Sequence, residues 1–312
     1  MNITSIRQKL KPWMLPIAML TGLIFHNYIH YIAFLSPYLI FTMLLITYCR
    51  VKISDFQTGP YIWWILAAQV LGALCAYFII SPFSEELAQG ISICIFCPTA
   101  TAAPVITGML GGKISKVATY SLFSHASVAF LAPIVLSYMN PGSDITFFDS
   151  VLAISKSVLP LILGPLAIAL LLQKFLPKVH SSIANHQGLS FYIWALGLII
   201  VVGNSVSFLI KQPANKLPEI ILLGVSSLII CLSLFYIGRR IGRHYGDPIS
   251  GAQSLGQKNT VLAIWLALTY LNPIVSAAPA TYVAWHNTVN SYQIYRLEKR
   301  KALEKTKQRQ YT

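Results

Sequence analysis

The stretch GAQSLGQKNTVLA, residues 251–263, lies within an apolar segment yet carries Lys258 at its middle. No acidic residue stands between Asp247 and Glu298 to pair with it. A bare ammonium in hydrocarbon costs roughly 2.5–3.5 kcal/mol even on a mild insertion scale. Gln253, Ser254, Gln257, Asn259 and Thr260 surround the lysine, and Gly251 and Gly256 punctuate the run. Such a run cannot face lipid, and packing alone does not call for so many amides together. The segment therefore reads as a broken membrane helix with a polar task.

The rest of the chain supplies the membrane. Of 312 residues, 55% are hydrophobic and only 10% charged, and the mean hydropathy is +0.64. That is too apolar for a soluble domain. Apolar runs of about 20 residues recur, the length that crosses a bilayer core. The class is an all-α polytopic membrane protein. The net charge of +14 then reflects loops facing cytoplasm and anionic lipid, not nucleic acid. Cys94 and Cys97 form a CxxC without a second pair or a spaced histidine, so they read as buried small hydrophobes. The basic start leads directly into an apolar segment, so no cleavable signal peptide is expected.

Ten spans are expected, near residues 13–29, 31–49, 60–80, 84–110, 115–139, 150–176, 190–210, 217–240, 247–271 and 274–295. The polar HNYIH at 26–30 reads as a tight turn between the first two. Residues 1–12 form a leading segment, and 296–312 a basic tail whose plainest reading is a solvated topogenic end. Ten spans place nineteen of the 23 lysines and arginines on one side, with Lys211 and Lys216 opposite and Lys156 and Lys258 inside spans. Lys156 is expected to snorkel to an interface. The bias puts both termini in the cytoplasm. All nine acidic residues fall in loops, tails or span ends.

Ten spans divide into repeats over 13–139 and 150–295, and five spans per half invert the second half. The fourth and ninth spans are the interrupted ones, the fourth member of each half. Paired broken helices at matching positions point to an inverted-repeat transporter with a midplane site. In FCPTATAAPVITGMLGG, residues 96–112, Pro98 and Pro104 each remove a backbone donor and displace a carbonyl. Backbone groups freed inside a membrane must be satisfied by protein, water or ligand, and Thr99, Thr101 and Thr107 offer hydroxyls. Gly256 marks the second break. Helix amino termini meeting at mid-bilayer offer partial positive charge to anions. The last span carries His286, Asn287, Asn290 and Ser291; His286 reads as an interfacial histidine, and His125 in the fifth span as a satisfied buried one.

CPTATAAPVI in the fourth span, VLPLILGPL in the sixth, LGQKNTVLA in the ninth, and Pro279, WHN and Ser291 in the tenth together resemble the bile acid:sodium symporter family over most of the chain. The resemblance implies ten helices in two inverted five-helix repeats. Spans 1, 2, 6 and 7 would form a panel domain beside a core in which spans four and nine unwind and cross. It implies alternating-access uptake of organic anions with sodium. Asn259, His286 and Asn287, with Thr101, match positions that the family uses near its substrate, and Gln69 matches a sodium-site glutamine.

The other sodium-site positions depart from the family. Ser254 stands where it has glutamate, Lys258 where it has glutamine, and Ala103-Pro104 where it has Ser-Asn. Its two hydroxyls of the fifth span correspond to Val117 and Ser121. Sodium needs several oxygen ligands, and most have gone. Lys258 is therefore expected either to set its ammonium where the family holds a sodium ion, or to carry a coupling proton, since burial favours the neutral amine.

The leading expectation is a secondary active transporter of a small organic anion, not an enzyme, with sodium coupling lost or altered. Lys258, Gln69, Ser254, Gln257, Thr260 and Ser121 form its coupling site. The alternative is a conventional sodium symporter with a rebuilt ion site using Gln69, Ser254, Thr260 and backbone carbonyls. No HExxH, GxSxG or membrane carboxylate pair points to an enzyme. A scaffold would not need two matched broken helices, and no nucleotide-binding motif points to a pump. No cofactor is expected beyond a possible sodium ion or proton. The expected partners are an organic anion and the lipid bilayer, with no nucleic acid and no obligate protein partner. The expected location is a bacterial inner membrane.

Overall fold

The computed structural model describes residues 14–50, 59–100, 102–140, 146–185 and 187–310. These are helical nearly throughout, with no strand among them. The helices are α1 Met14–Ile24, α2 His26–Ile29, α3 Ser36–Arg50, α4 Pro60–Ile80, α5 Glu85–Phe96, α6 Ala103–Leu110 and α7 Ile114–Met139. They continue as α8 Phe147–Phe175, α9 Pro177–Asn185, α10 Gln187–Ile210, α11 Leu217–His244, α12 Pro248–Gly256, α13 Thr260–Tyr270 and α14 Ala277–Gln310. Short 3-10 turns at His30–Leu35, Ala214–Lys216 and Pro273–Ser276 join some of them.

Five helical stretches are long and apolar enough to cross a membrane: His26–Cys49, Pro60–Ile80, Ile114–Met139, Phe147–Phe175 and Ala214–His244. Their outer faces are apolar. On α11, Ile221, Val225, Ile229, Leu232 and Tyr236 are all exposed, spaced three or four residues apart on one face. A continuous apolar exterior of this kind needs lipid, and the protein is membrane-embedded.

The interior inverts that pattern. Gln69, Ser92, Thr99, Ser124, Gln253, Ser254 and Lys258 are buried among the apolar core. Local chemistry fixes the elements that carry them. Ser84 caps α5 by accepting from the Leu87 amide at 3.3 Å, with Glu85 and Glu86 in the first turn, where the helix dipole favours anions. The helix stops at Cys97, because the residue before Pro98 is steered out of the helical region. Helix α6 ends on Gly111, whose φ of 85° suits glycine. Asp247 caps α12 through the Ser250 amide at 3.0 Å, and its other oxygen accepts from the Lys113 amide at 3.2 Å. One carboxylate thus ties the end of the α6 arm to the start of α12.

One sequence expectation changes here. The HNYIH stretch is not a polar turn: residues 26–29 form α2, and the chain stays helical through His30–Leu35. It holds neither glycine nor proline to break the helix. The basic tail, read as a solvated end, is helical, since α14 continues through residue 310. Residues 1–12, read as a leading segment, lie outside the described residues.

α11 and α12 touch backbone to backbone at three glycines. A methyl group on Gly251 would run into the Gly238 carbonyl and the Gly242 backbone. Gly251→Val should therefore lower the thermal unfolding midpoint sharply, by the equivalent of about 3 kcal/mol or more. Gly59→Ala, with open space around it, should leave the midpoint within experimental scatter. Equal shifts in the two variants would contradict this packing.

Candidate functional site

The two broken helices meet at their carboxyl ends. Thr99 and Lys258 form an isolated antiparallel bridge. The Ala100 amide donates to the Gln257 carbonyl at 3.1 Å, and the Asn259 amide to the Pro98 carbonyl at 2.8 Å. The Thr99 hydroxyl donates to the Ser254 carbonyl at 2.7 Å, closing part of the end of α12. The breaks thus satisfy each other's backbone inside the core, as a membrane interior demands.

Lys258 completes the junction. Its Nζ donates to the Ile95 carbonyl at 2.6 Å and the Cys97 carbonyl at 3.0 Å, and the side chain is only 1% exposed. These carbonyls belong to the last turn of α5 and the residue after it, where a helix has no donors of its own left to satisfy them and carries partial negative charge. The ammonium acts as a C-terminal cap delivered from another helix. Its partners there are main-chain oxygens, and among the described residues no salt bridge involves it.

Gln69 takes the carbonyl between those two. Its Nε2 donates to Phe96 O at 2.6 Å. Its Oε1 accepts from the Ser124 hydroxyl at 2.7 Å and from the Tyr120 hydroxyl. One amide therefore joins α4, α5 and α7. Ser254 pairs through its hydroxyl with Tyr61 at 3.0 Å, and Tyr282 of α14 donates to Gly256 O at 2.8 Å. Each carbonyl released by the breaks at 95, 96, 97, 98, 254, 256 and 257 thus has a named donor.

The predicted residues divide. Lys258, Gln69 and Ser254 come together at the junction, as do Pro98 through its carbonyl and Gly256 through its own. Thr260 begins α13 beside them, its amide donating to Lys258 O at 2.9 Å. Asn259 is buried and caps α13 through Leu262 N at 3.2 Å, leaving its Nδ2 without a partner; Gln257 Oε1 is likewise free. Gly256 packs directly under the Phe235 ring. Pro104 sits in the first turn of α6, where a proline costs no hydrogen bond, so it starts the second arm instead of kinking a helix. Thr107 returns its hydroxyl to Ala103 O in the same helix. Ser121 meets His125, not Gln69; the α7 hydroxyls on Gln69 are Ser124 and Tyr120.

His286 is buried, not interfacial, with its ring edge-on to Tyr282 at 5.6 Å. Asn287 gives its amide to Val283 O, within its own helix, at 2.7 Å. His125 holds Ser121 O with Nδ1 at 2.7 Å, and its Nε2 is without a partner, so it is only half satisfied. Thr101 lies outside the described residues. Sequence reasoning missed Tyr61, Tyr120, Ser124 and Tyr282, single polar groups in apolar runs with no local signal.

The junction can hold an ammonium among carbonyl dipoles at the centre of a membrane protein. No family model matches the chain, and no curated protein is a significant match to it.

Gln69→Leu would strip donors and acceptors from three buried groups at once. It should lower stability by about 3 kcal/mol, measured as a thermal unfolding shift in detergent. Asn287→Ala removes a bond that its helix barely needs and should cost under about 1 kcal/mol. The reverse order would show that Gln69 is not the hub.

Proposed function

We propose that the protein is a secondary active transporter that moves a small organic anion by alternating access. In this reading the ammonium of Lys258 permanently fills the place of a bound metal cation. The observation that carries it is the binding of Lys258 Nζ by the Ile95 and Cys97 carbonyls at the crossing of two broken helices. Half-helix carboxyl ends are the feature that coordinates sodium in inverted-repeat transporters.

Counting α5 with α6 and α12 with α13 as single crossings supports ten spans in two inverted five-helix repeats. The mutual packing of α1 and α3 on α10, and of α3 on α8, fits a panel made from the first, second, sixth and seventh spans. The resemblance to bile acid:sodium symporters agrees with both. The charge bias supports cytoplasmic termini, in a bacterial inner membrane. A fixed cation and the amino ends of α6 and α13 would make the midplane attractive to an anion. Asn259 and Gln257, each with an unpartnered buried polar atom, are the nearest contacts along the chain.

The test is uptake of a mixed organic-anion panel into proteoliposomes under an imposed sodium gradient, an imposed proton gradient, or neither. Uptake should ignore sodium. It should collapse, or become ion-dependent, in Lys258→Gln. Strict dependence of the parent protein on sodium would sink the fixed-cation reading, and dependence on the proton gradient alone would turn Lys258 into a proton carrier.

A further inference from the structure

A second polar cluster lies off the junction, in the seam between α12 and α14. Gln253 Nε2 donates to Asn290 Oδ1 at 3.1 Å and reaches Gln293 Oε1 at 3.4 Å. Gln253, Asn290 and His286 are 0%, 3% and 5% exposed. Yet Gln253 Oε1, Asn290 Nδ2 and His286 Nδ1 are all buried without a partner. His286 and Asn290 are four residues apart, on one face of α14. Exchanging oxygen and nitrogen in both amides does not remove the deficit: the pair then still leaves one donor and one acceptor free. Buried polar groups in folded proteins are almost always satisfied, so a cluster of free ones indicates something that fills it.

The free atoms narrow the class of occupant. A carboxylate only accepts hydrogen bonds and would leave Gln253 Oε1 without a donor, whereas an uncharged group that both donates and accepts serves Gln253 Oε1 and Asn290 Nδ2 alike. One free donor, one free acceptor and an imidazole nitrogen that takes either role match a group that both donates and accepts. At the outer edge of the seam, half-buried Arg239 donates to Gln293 Oε1 at 3.4 Å. The seam has a link inward through Tyr282, which holds Gly256 O and packs against His286.

We infer that Gln253, His286 and Asn290 form a binding site for an uncharged hydroxyl or carboxamide carried by the transported anion. The inference rests on the transporter reading for the identity of that ligand as an anion. It adds that the substrate has two ends. The charged end lies toward the junction, and a neutral polar end lies in the seam.

Matched pairs of anions test it on the purified full chain, by titrating the shift in thermal unfolding midpoint. The pairs are propionate with lactate, valerate with δ-hydroxyvalerate, and 4-methylvalerate with succinamate. In at least one pair the hydroxyl or amide member should bind about tenfold tighter than its bare partner. Gln253→Met and Asn290→Leu should erase that difference while leaving the bare member's affinity unchanged. If neither variant folds, the preference of the parent protein decides alone. Bare members that bind as tightly as their partners would overturn the seam site and leave the transporter reading standing. Failure of every anion to bind would overturn both.

Discussion

The structure depends on a lysine nitrogen held by the end of a half-helix. Two helices stop inside the buried core of the protein, and each stop exposes carbonyls that need donors. Pro98 forces one stop and Gly256 marks the other. Lys258 then brings its Nζ donor to the Ile95 and Cys97 carbonyls, where the dipole of α5 is most negative. The two features explain each other. The lysine is tolerable there because the carbonyls solvate it, and the broken helix is tolerable because the lysine caps it.

Around that contact the remaining polar groups are placed economically. Gln69 serves the one carbonyl that Lys258 leaves between its own two, and ties α4 and α7 to the same point. Thr99, Tyr61 and Tyr282 close the α12 side. Asp247 performs the corresponding task at the other end of the two arms, joining the Lys113 turn to the start of α12. The junction is accordingly well satisfied, and free polar atoms lie beside it on Asn259, Gln257 and the α12–α14 seam, with others elsewhere such as His125 Nε2. The transporter reading we propose calls for both: a framework that holds through the cycle, and groups left open for cargo.

Much of this was legible in the sequence because a membrane makes polar residues conspicuous. Lys258 within an apolar run, the prolines at 98 and 104, and the glycines at 251 and 256 marked both breaks. What they bond to was not legible. The partners of Lys258 are main-chain oxygens, which carry no residue signature. Tyr61, Tyr120 and Tyr282 look like ordinary membrane aromatics until the fold aims their hydroxyls at the junction. Ser121 and Ser124 lie one turn apart on α7, and a single turn decides which of them reaches Gln69. Pro104 lies just after the break, in the first turn of α6, because the helix before it had already ended at Phe96. HNYIH looked like a turn by polarity alone, although nothing in it breaks a helix.

The most direct measurement is sodium binding by the purified parent protein, by calorimetry at constant ionic strength with choline as the replacing cation. If the ammonium of Lys258 already occupies the cation position, no heat specific to sodium should appear. The unfolding midpoint should also be the same in sodium and in choline. A saturable sodium heat, with a matching rise in the midpoint, would contradict the account and place a metal ion beside a lysine that serves some other purpose.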